Sequence, residues 1–136
     1  MHVIDIDPGH GWFDLDPGKR NMAILAQDGP VQFFGARGTY YFYVPAGTRD
    51  FYVQAAGSGG EKVKISILDA AGERVDGQDD VSIANRFLVS RADPDVGAIW
   101  AIRAEKSPGN YLEDYSLDLY GIPPILAASR AALLMP

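Results

Sequence analysis

Apolar and polar residues alternate with period two along much of the chain. Lys64 and Ser66 separate Val63, Ile65 and Ile67. Ala101 and Arg103 separate Trp100, Ile102 and Ala104, and Asp118 separates Leu117 from Leu119. This period belongs to a strand with one buried and one wetted face, the arrangement of antiparallel sheets. Runs of this kind predict strands at 12–16, 22–26, 31–34, 39–44, 50–56, 62–69, 81–84, 86–90, 98–105 and 115–120. The breaks between them carry turn chemistry, among them Asp28-Gly29-Pro30, Pro45-Ala46-Gly47, Gly57-Ser58-Gly59-Gly60 and Ser107-Pro108-Gly109-Asn110. Unbroken apolar strands alternating with helices, which a parallel sheet requires, do not occur. The pattern predicts one all-β domain over residues 1–136: an antiparallel β-sandwich, jelly-roll-like, of eight to ten strands.

One helical segment is predicted, a short C-terminal turn over 130–134 capped by Ser129. It follows Pro123-Pro124, a pair that cannot occupy a central strand. Its apolar end, Leu133-Leu134-Met135, either packs back on the core or leads to another domain; packing back is the favoured expectation. The segment Asp5-Ile6-Asp7-Pro8-Gly9 returns as Asp14-Leu15-Asp16-Pro17-Gly18. Two copies are too few for a solenoid and predict two similar turns.

Composition narrows the chemistry. With 136 residues the chain suits one domain large enough to bury its own core. It has no cysteine, which removes disulfides, thiolate catalysis and cysteine-held zinc together. Its net charge of −6, from 12 basic and 18 acidic residues, opposes binding to phosphate backbones, so no nucleic-acid partner is expected. No stretch approaches the roughly 20 apolar residues of a membrane helix, so no membrane partner is expected either. The first residues lack the apolar run of a signal peptide. That absence says little about where a parent protein resides; the domain is expected to be a piece of a larger protein, extracellular or periplasmic with its parent.

The densest aromatic cluster spans the strands at 39–44 and 50–56. Paired as a hairpin, they set Val44 opposite Phe51, Tyr43 opposite Tyr52 and Tyr41 opposite Gln54. One face then carries Phe42, Val44, Phe51, Val53 and Ala55, and the other Tyr41, Tyr43, Tyr52 and Gln54. Opposed side chains stand about 5 Å apart, so the tyrosines would form one patch. Tyrosine suits sugars: the ring covers the apolar face of a pyranose and the phenol bonds its rim. Gln54, with Arg103 and Glu105 from another strand, would supply planar hydrogen-bond partners. Covering by the tail, a loop or a neighbouring domain would account for the same residues. Trp100 alternates with Ile102 and Ala104 and is expected in the core. Trp12, between turns, is a candidate loop-borne sugar contact.

Asp5, Asp7, Asp14 and Asp16 place hard oxygen ligands at alternate positions, which suits a structural calcium. Asp-Pro-Gly is also a good turn by itself. His2 and His10 stand beside them. No cofactor is required by any motif. Asp76, Asp79, Asp80, Asp93, Asp95, Glu113 and Asp114 read as solvated turn residues, not as a glycosidase pair. No nucleophile elbow or phosphate loop is present, and no enzymatic activity is expected.

The stretch Tyr40-Tyr41-Phe42-Tyr43-Val44-Pro45-Ala46-Gly47-Thr48 resembles the opening of bacterial pre-peptidase C-terminal domains and related β-sandwich accessory domains of polysaccharide-degrading enzymes. Ile67-Leu68-Asp69-Ala70-Ala71-Gly72-Glu73-Arg74-Val75 adds to the resemblance, and Leu117-Asp118-Leu119-Tyr120-Gly121-Ile122-Pro123-Pro124 is similar to their closing strand. The Asp-x-Asp-Leu-Tyr middle strand of the pre-peptidase pattern is replaced here by Glu61-Lys62-Val63-Lys64-Ile65-Ser66. What the resemblance implies is a jelly-roll accessory module. The expected function is non-catalytic carbohydrate binding beside a catalytic domain, with a polysaccharide or oligosaccharide as ligand. A structural domain that only packs against its catalytic neighbour is the alternative, and a small sandwich-fold enzyme is a second one.

Overall fold

The computed structural model describes residues 4–5, 16, 20–35, 37–112 and 114–133. Ten strands form among these residues: β1 (Ala23–Leu25), β2 (Val31–Phe34), β3 (Gly38–Val44), β4 (Asp50–Gly57), β5 (Val63–Leu68), β6 (Arg74–Val81), β7 (Asn85–Ser90), β8 (Ala98–Lys106), β9 (Asp114–Tyr120) and β10 (Ile125–Ala127). Of the expected strand at 12–16, all but Asp16 lies outside the described residues. They make a six-stranded sheet in the order β1-β10-β3-β8-β5-β6 and a four-stranded sheet in the order β2-β9-β4-β7.

The pairings nest. β1 pairs with β10, β2 with β9, β3 with β8 and β4 with β7, all antiparallel. Apart from β5 and β6, which share the larger sheet, successive strands alternate between the two sheets. A long antiparallel ribbon wound in this way is the jelly roll, the architecture expected from the sequence. The β5–β6 hairpin is inserted between β4 and β7 and widens the larger sheet beyond β8.

Period two explains the core. Phe42 and Val44 from β3, and Trp100 and Ile102 from β8, face inward and meet Phe51 and Val53 from β4 and Leu117 and Leu119 from β9. Phe51 sets its ring 5.8 Å from Phe42 and 5.4 Å, edge to face, from Trp100, so the two sheets interlock through aromatics. Trp100 lies in the core, as its alternation requires.

The expected hairpin of 39–44 with 50–56 does not form. β3 belongs to the six-stranded sheet and β4 to the four-stranded one. The physical reason lies in the two apolar faces. Side by side, Phe42, Val44, Phe51 and Val53 would need a further layer to cover them; across the sandwich they cover one another. The connection from Pro45 to Arg49 is an arch held from outside its own strands. Gly47 takes a positive φ of 85° and its N–H donates to the Pro94 carbonyl at 2.7 Å. The buried Arg91 guanidinium donates to the carbonyls of Pro45 (3.1 Å), Thr48 (3.3 Å) and Val96.

Two strands were not expected. β6 carries Asp76, Asp79 and Asp80, read in the sequence as turn residues; they lie in a strand at the sheet's edge. Asp79 there pairs with Lys64 (3.7 Å) and Arg74 (3.6 Å). β10 follows Pro123-Pro124 and closes on β1 and β3. The expected strand at 81–84 reduces to Val81, the last residue of β6.

The described part of the tail packs back, as favoured above, as far as Leu133; Leu134 and Met135 lie outside the described residues. Ser129 caps a single 3-10 turn, Arg130–Ala132, with its Oγ accepting from the Ala132 N–H at 3.2 Å. Ala132 and Leu133 are buried with Ala127 against the outer side of the six-stranded sheet. No helix among the described residues is long and apolar enough to cross a membrane.

One end of the core is polar at its centre. The phenols of Tyr40 and Tyr115 share a 2.7 Å hydrogen bond, and Phe33 stacks on the Tyr115 ring at 5.1 Å. Burial pushes both phenols above their ordinary value of 10.0, and the shared bond raises Tyr115 further. The unfolded chain therefore releases these protons at a lower pH than the folded one. Their contribution to stability is present below about pH 10 and declines as pH rises above it. A Tyr40→Phe, Tyr115→Phe double variant should lose less stability than the parent between neutral pH and pH 11. Equal losses in alkaline denaturation would contradict this.

Candidate ligand-binding face

The sandwich has two outer faces, and the tyrosines expected in one patch are divided between them. Tyr41 and Tyr43 lie on the six-stranded sheet, with Arg103 of β8 opposite Thr39. Tyr52 and Gln54 lie on the four-stranded sheet. The continuous platform of Tyr41, Tyr43, Tyr52 and Gln54 is therefore corrected: the fold that buries Phe42 against Phe51 turns the two sets of tyrosines away from each other.

The six-stranded face is already occupied where its tyrosines stand. Tyr41 packs against Ala127, Ala132 and Leu133 of the returning tail, and the Arg130 guanidinium lies 5.7 Å from its ring centre. The hydroxyl end of Tyr43 lies across Gly97, where an added Cβ would fall 2.1 Å from the phenol oxygen. Arg103 is exposed, flanked by Thr39 and Ser66.

The four-stranded face is differently built. The outward positions at the centre of its three adjacent strands include Tyr52 and Gln54 on β4, Arg86 and Leu88 on β7, and Asp118 and Tyr120 on β9. Register aligns Tyr120, Tyr52 and Leu88 in one row and Asp118, Gln54 and Arg86 in the next. Arg86 joins the rows. Its Nε and Nη2 donate to Gln54 Oε1 at 3.2 and 3.0 Å, and its guanidinium lies 4.2 Å from the Tyr120 ring centre and 5.9 Å from that of Tyr52. A guanidinium held between a planar acceptor and aromatic rings is fixed in orientation.

The network runs on through Tyr120. Tyr120 and Asp118 lie two residues apart on the same face of β9, and the Arg86 guanidinium covers the Tyr120 ring. The neighbouring Asp118 carboxylate, with slight desolvation, holds the phenol above its ordinary value, while Arg86 acts the other way. Asp118 is itself buried and accepts from the Leu119 N–H at 2.8 Å. Beside these groups Tyr52 is 39% exposed and Leu88 53% exposed. The face thus offers an accessible ring, an apolar side chain and fixed polar groups within two adjacent rows.

Sequence reasoning found Tyr52 and Gln54 but missed Arg86, Leu88, Asp118 and Tyr120. A signal for the last two existed, since Ser116, Asp118 and Tyr120 repeat with period two on one face. Missing was the knowledge that β9 lies beside β4. Of the candidate calcium ligands, Asp5 and Asp16 are exposed, whereas Asp7 and Asp14, like Trp12, lie outside the described residues. No group of three or more His, Cys, Asp or Glu side chains suited to a metal occurs among the described residues.

No family model, curated protein or solved structure matches the chain. The likeness to bacterial accessory domains rests on the residues quoted for it, and the fold rests on the strand pairings.

Proposed function

We propose that this domain is a non-catalytic carbohydrate-binding module of a larger, exported bacterial polysaccharide-degrading enzyme, and that it meets its glycan through the outer face of the four-stranded sheet. The observation carrying this reading is the Tyr52–Gln54–Arg86–Tyr120 cluster. Sugar recognition needs an apolar surface for the ring's CH face and rigid polar groups for its hydroxyls. Here Tyr52 and Leu88 supply the first. Arg86, Gln54 and the Tyr120 phenol supply the second, held in place by one another before any ligand arrives, which lowers the ordering cost of binding. Tyr41 and Tyr43, engaged by the tail and by Gly97, have no part in the proposed site.

Affinity electrophoresis against plant and algal polysaccharides tests the reading. Retardation by at least one glycan is expected. Tyr52→Ala should weaken it about tenfold, roughly 1.4 kcal/mol, and Tyr43→Ala should leave it unchanged. Mobility unaffected by every glycan, or retardation indifferent to Tyr52→Ala, would overturn the proposal.

A further inference from the structure

We propose that two copies of this chain pair edge to edge through β7, making one continuous eight-stranded sheet across a twofold axis at Leu88. Among the described residues the sandwich has four edge strands, β1, β6, β2 and β7, and three are poorly suited to pairing with another chain. β1 has three residues, and β2 has four and begins directly after Pro30. β6 is interrupted by register shifts against β5, takes a positive φ of 144° at Gly77, and carries Asp76, Asp79 and Asp80. Short strands, bulges and charges are the usual means of blocking edges. β7 has none of the first two. It runs six residues in unbroken register with β4, free of glycine and proline, and β6 touches it at its start, where Asn85 Nδ2 donates to Gln78.

The direction of its free backbone groups is fixed. Arg91 N–H donates to the Arg49 carbonyl at 2.9 Å, continuing the register that sets Asp50 opposite Ser90. In an antiparallel ladder the residues that bond a given neighbour alternate. Phe87, Val89 and Arg91 therefore turn their N–H and C=O groups to β4. Arg86, Leu88 and Ser90 turn theirs to the open edge.

This pattern is self-complementary. With Leu88 opposite Leu88 on the axis, Arg86 of one copy faces Ser90 of the other, and each pair can exchange both backbone bonds. Buried Phe87 then aligns with Val89, so the two cores face the same way and the isologous contact closes. Charge agrees with this register. The Ser90 hydroxyl donates to Asp50 Oδ1 at 2.6 Å, so the Arg86 cation of each copy comes opposite the other copy's Ser90–Asp50 pair. On the outer face the row Tyr120–Tyr52–Leu88 would run on into its symmetry mate. The pairing stands whether or not that row binds sugar.

Sedimentation velocity of the chain from micromolar to sub-millimolar concentration is the test. A concentration-dependent dimer is expected, and Leu88→Lys should abolish it while leaving the circular dichroism spectrum unchanged, because this side chain is exposed. The absence of cysteine gives a second readout. Self-paired residues in such a ladder have Cα atoms about 5.5 Å apart, inside the roughly 4.4–6.8 Å a disulfide spans. Leu88→Cys should oxidise to a covalent dimer, and Val75→Cys on the β6 edge should remain monomeric. A chain monomeric at every concentration, a dimer that survives Leu88→Lys, or equally fast crosslinking by Val75→Cys would overturn the proposal.

Discussion

Replacing Phe51 by alanine is expected to destabilise the domain by about 3–5 kcal/mol, the usual cost of removing a buried aromatic side chain. Phe51 stands on the four-stranded sheet, yet its ring neighbours, Phe42 and Trp100, belong to the other sheet. Its removal takes away buried apolar surface and the aromatic contact that locks the sheets, and leaves a cavity between rigid strands. Urea denaturation should show a lower midpoint at unchanged slope. Tyr52→Ala, one residue away on the opposite face, should cost no more than about 1 kcal/mol, the typical effect of a change outside the core. Similar losses for the two variants would contradict the placement of β4.

Arg91→Ala should cost about 3 kcal/mol. The buried guanidinium donates to three backbone carbonyls, those of Pro45, Thr48 and Val96, which belong to two different loops. Removing it takes a donor from each carbonyl, with Pro45 keeping only the Thr48 N–H at 3.3 Å, at about 1–3 kcal/mol for each acceptor left unpaired and out of reach of water. Arg91→Lys should recover only part of the loss, because an ammonium lacks the planar fork that spans separate acceptors. Full recovery by lysine, or no loss with alanine, would show that the arch holds without this residue.

The Arg91 clamp also shows why part of this fold was unreadable in the sequence. Alternation at Val63–Ile67, Trp100–Ala104 and Leu117–Leu119 revealed strands and inward faces, because burial imposes period two locally. Pairing is not local. The sequence around Pro45–Arg49 suits a hairpin loop, and what makes it an arch is an arginine more than forty residues later, with Gly47 bonded to Pro94. β6 escaped notice because an exposed edge strand needs no apolar face, and β10 because three residues after two prolines carry too little pattern. The candidate site followed the same division. Tyr52 and Gln54 were visible as an outward pair, whereas Arg86 and Asp118 became their neighbours only through the order β9-β4-β7.

In the proposed function, the outer face of the four-stranded sheet is the one that meets the glycan. Backbone amide chemical-shift mapping during titration with a glycan that retards the protein tests it most directly. The largest shifts are expected at Tyr52, Gln54, Arg86, Leu88 and Tyr120, and none at Tyr41, Tyr43 or Arg103. Shifts centred on Tyr41, Tyr43 and Arg103 would contradict it.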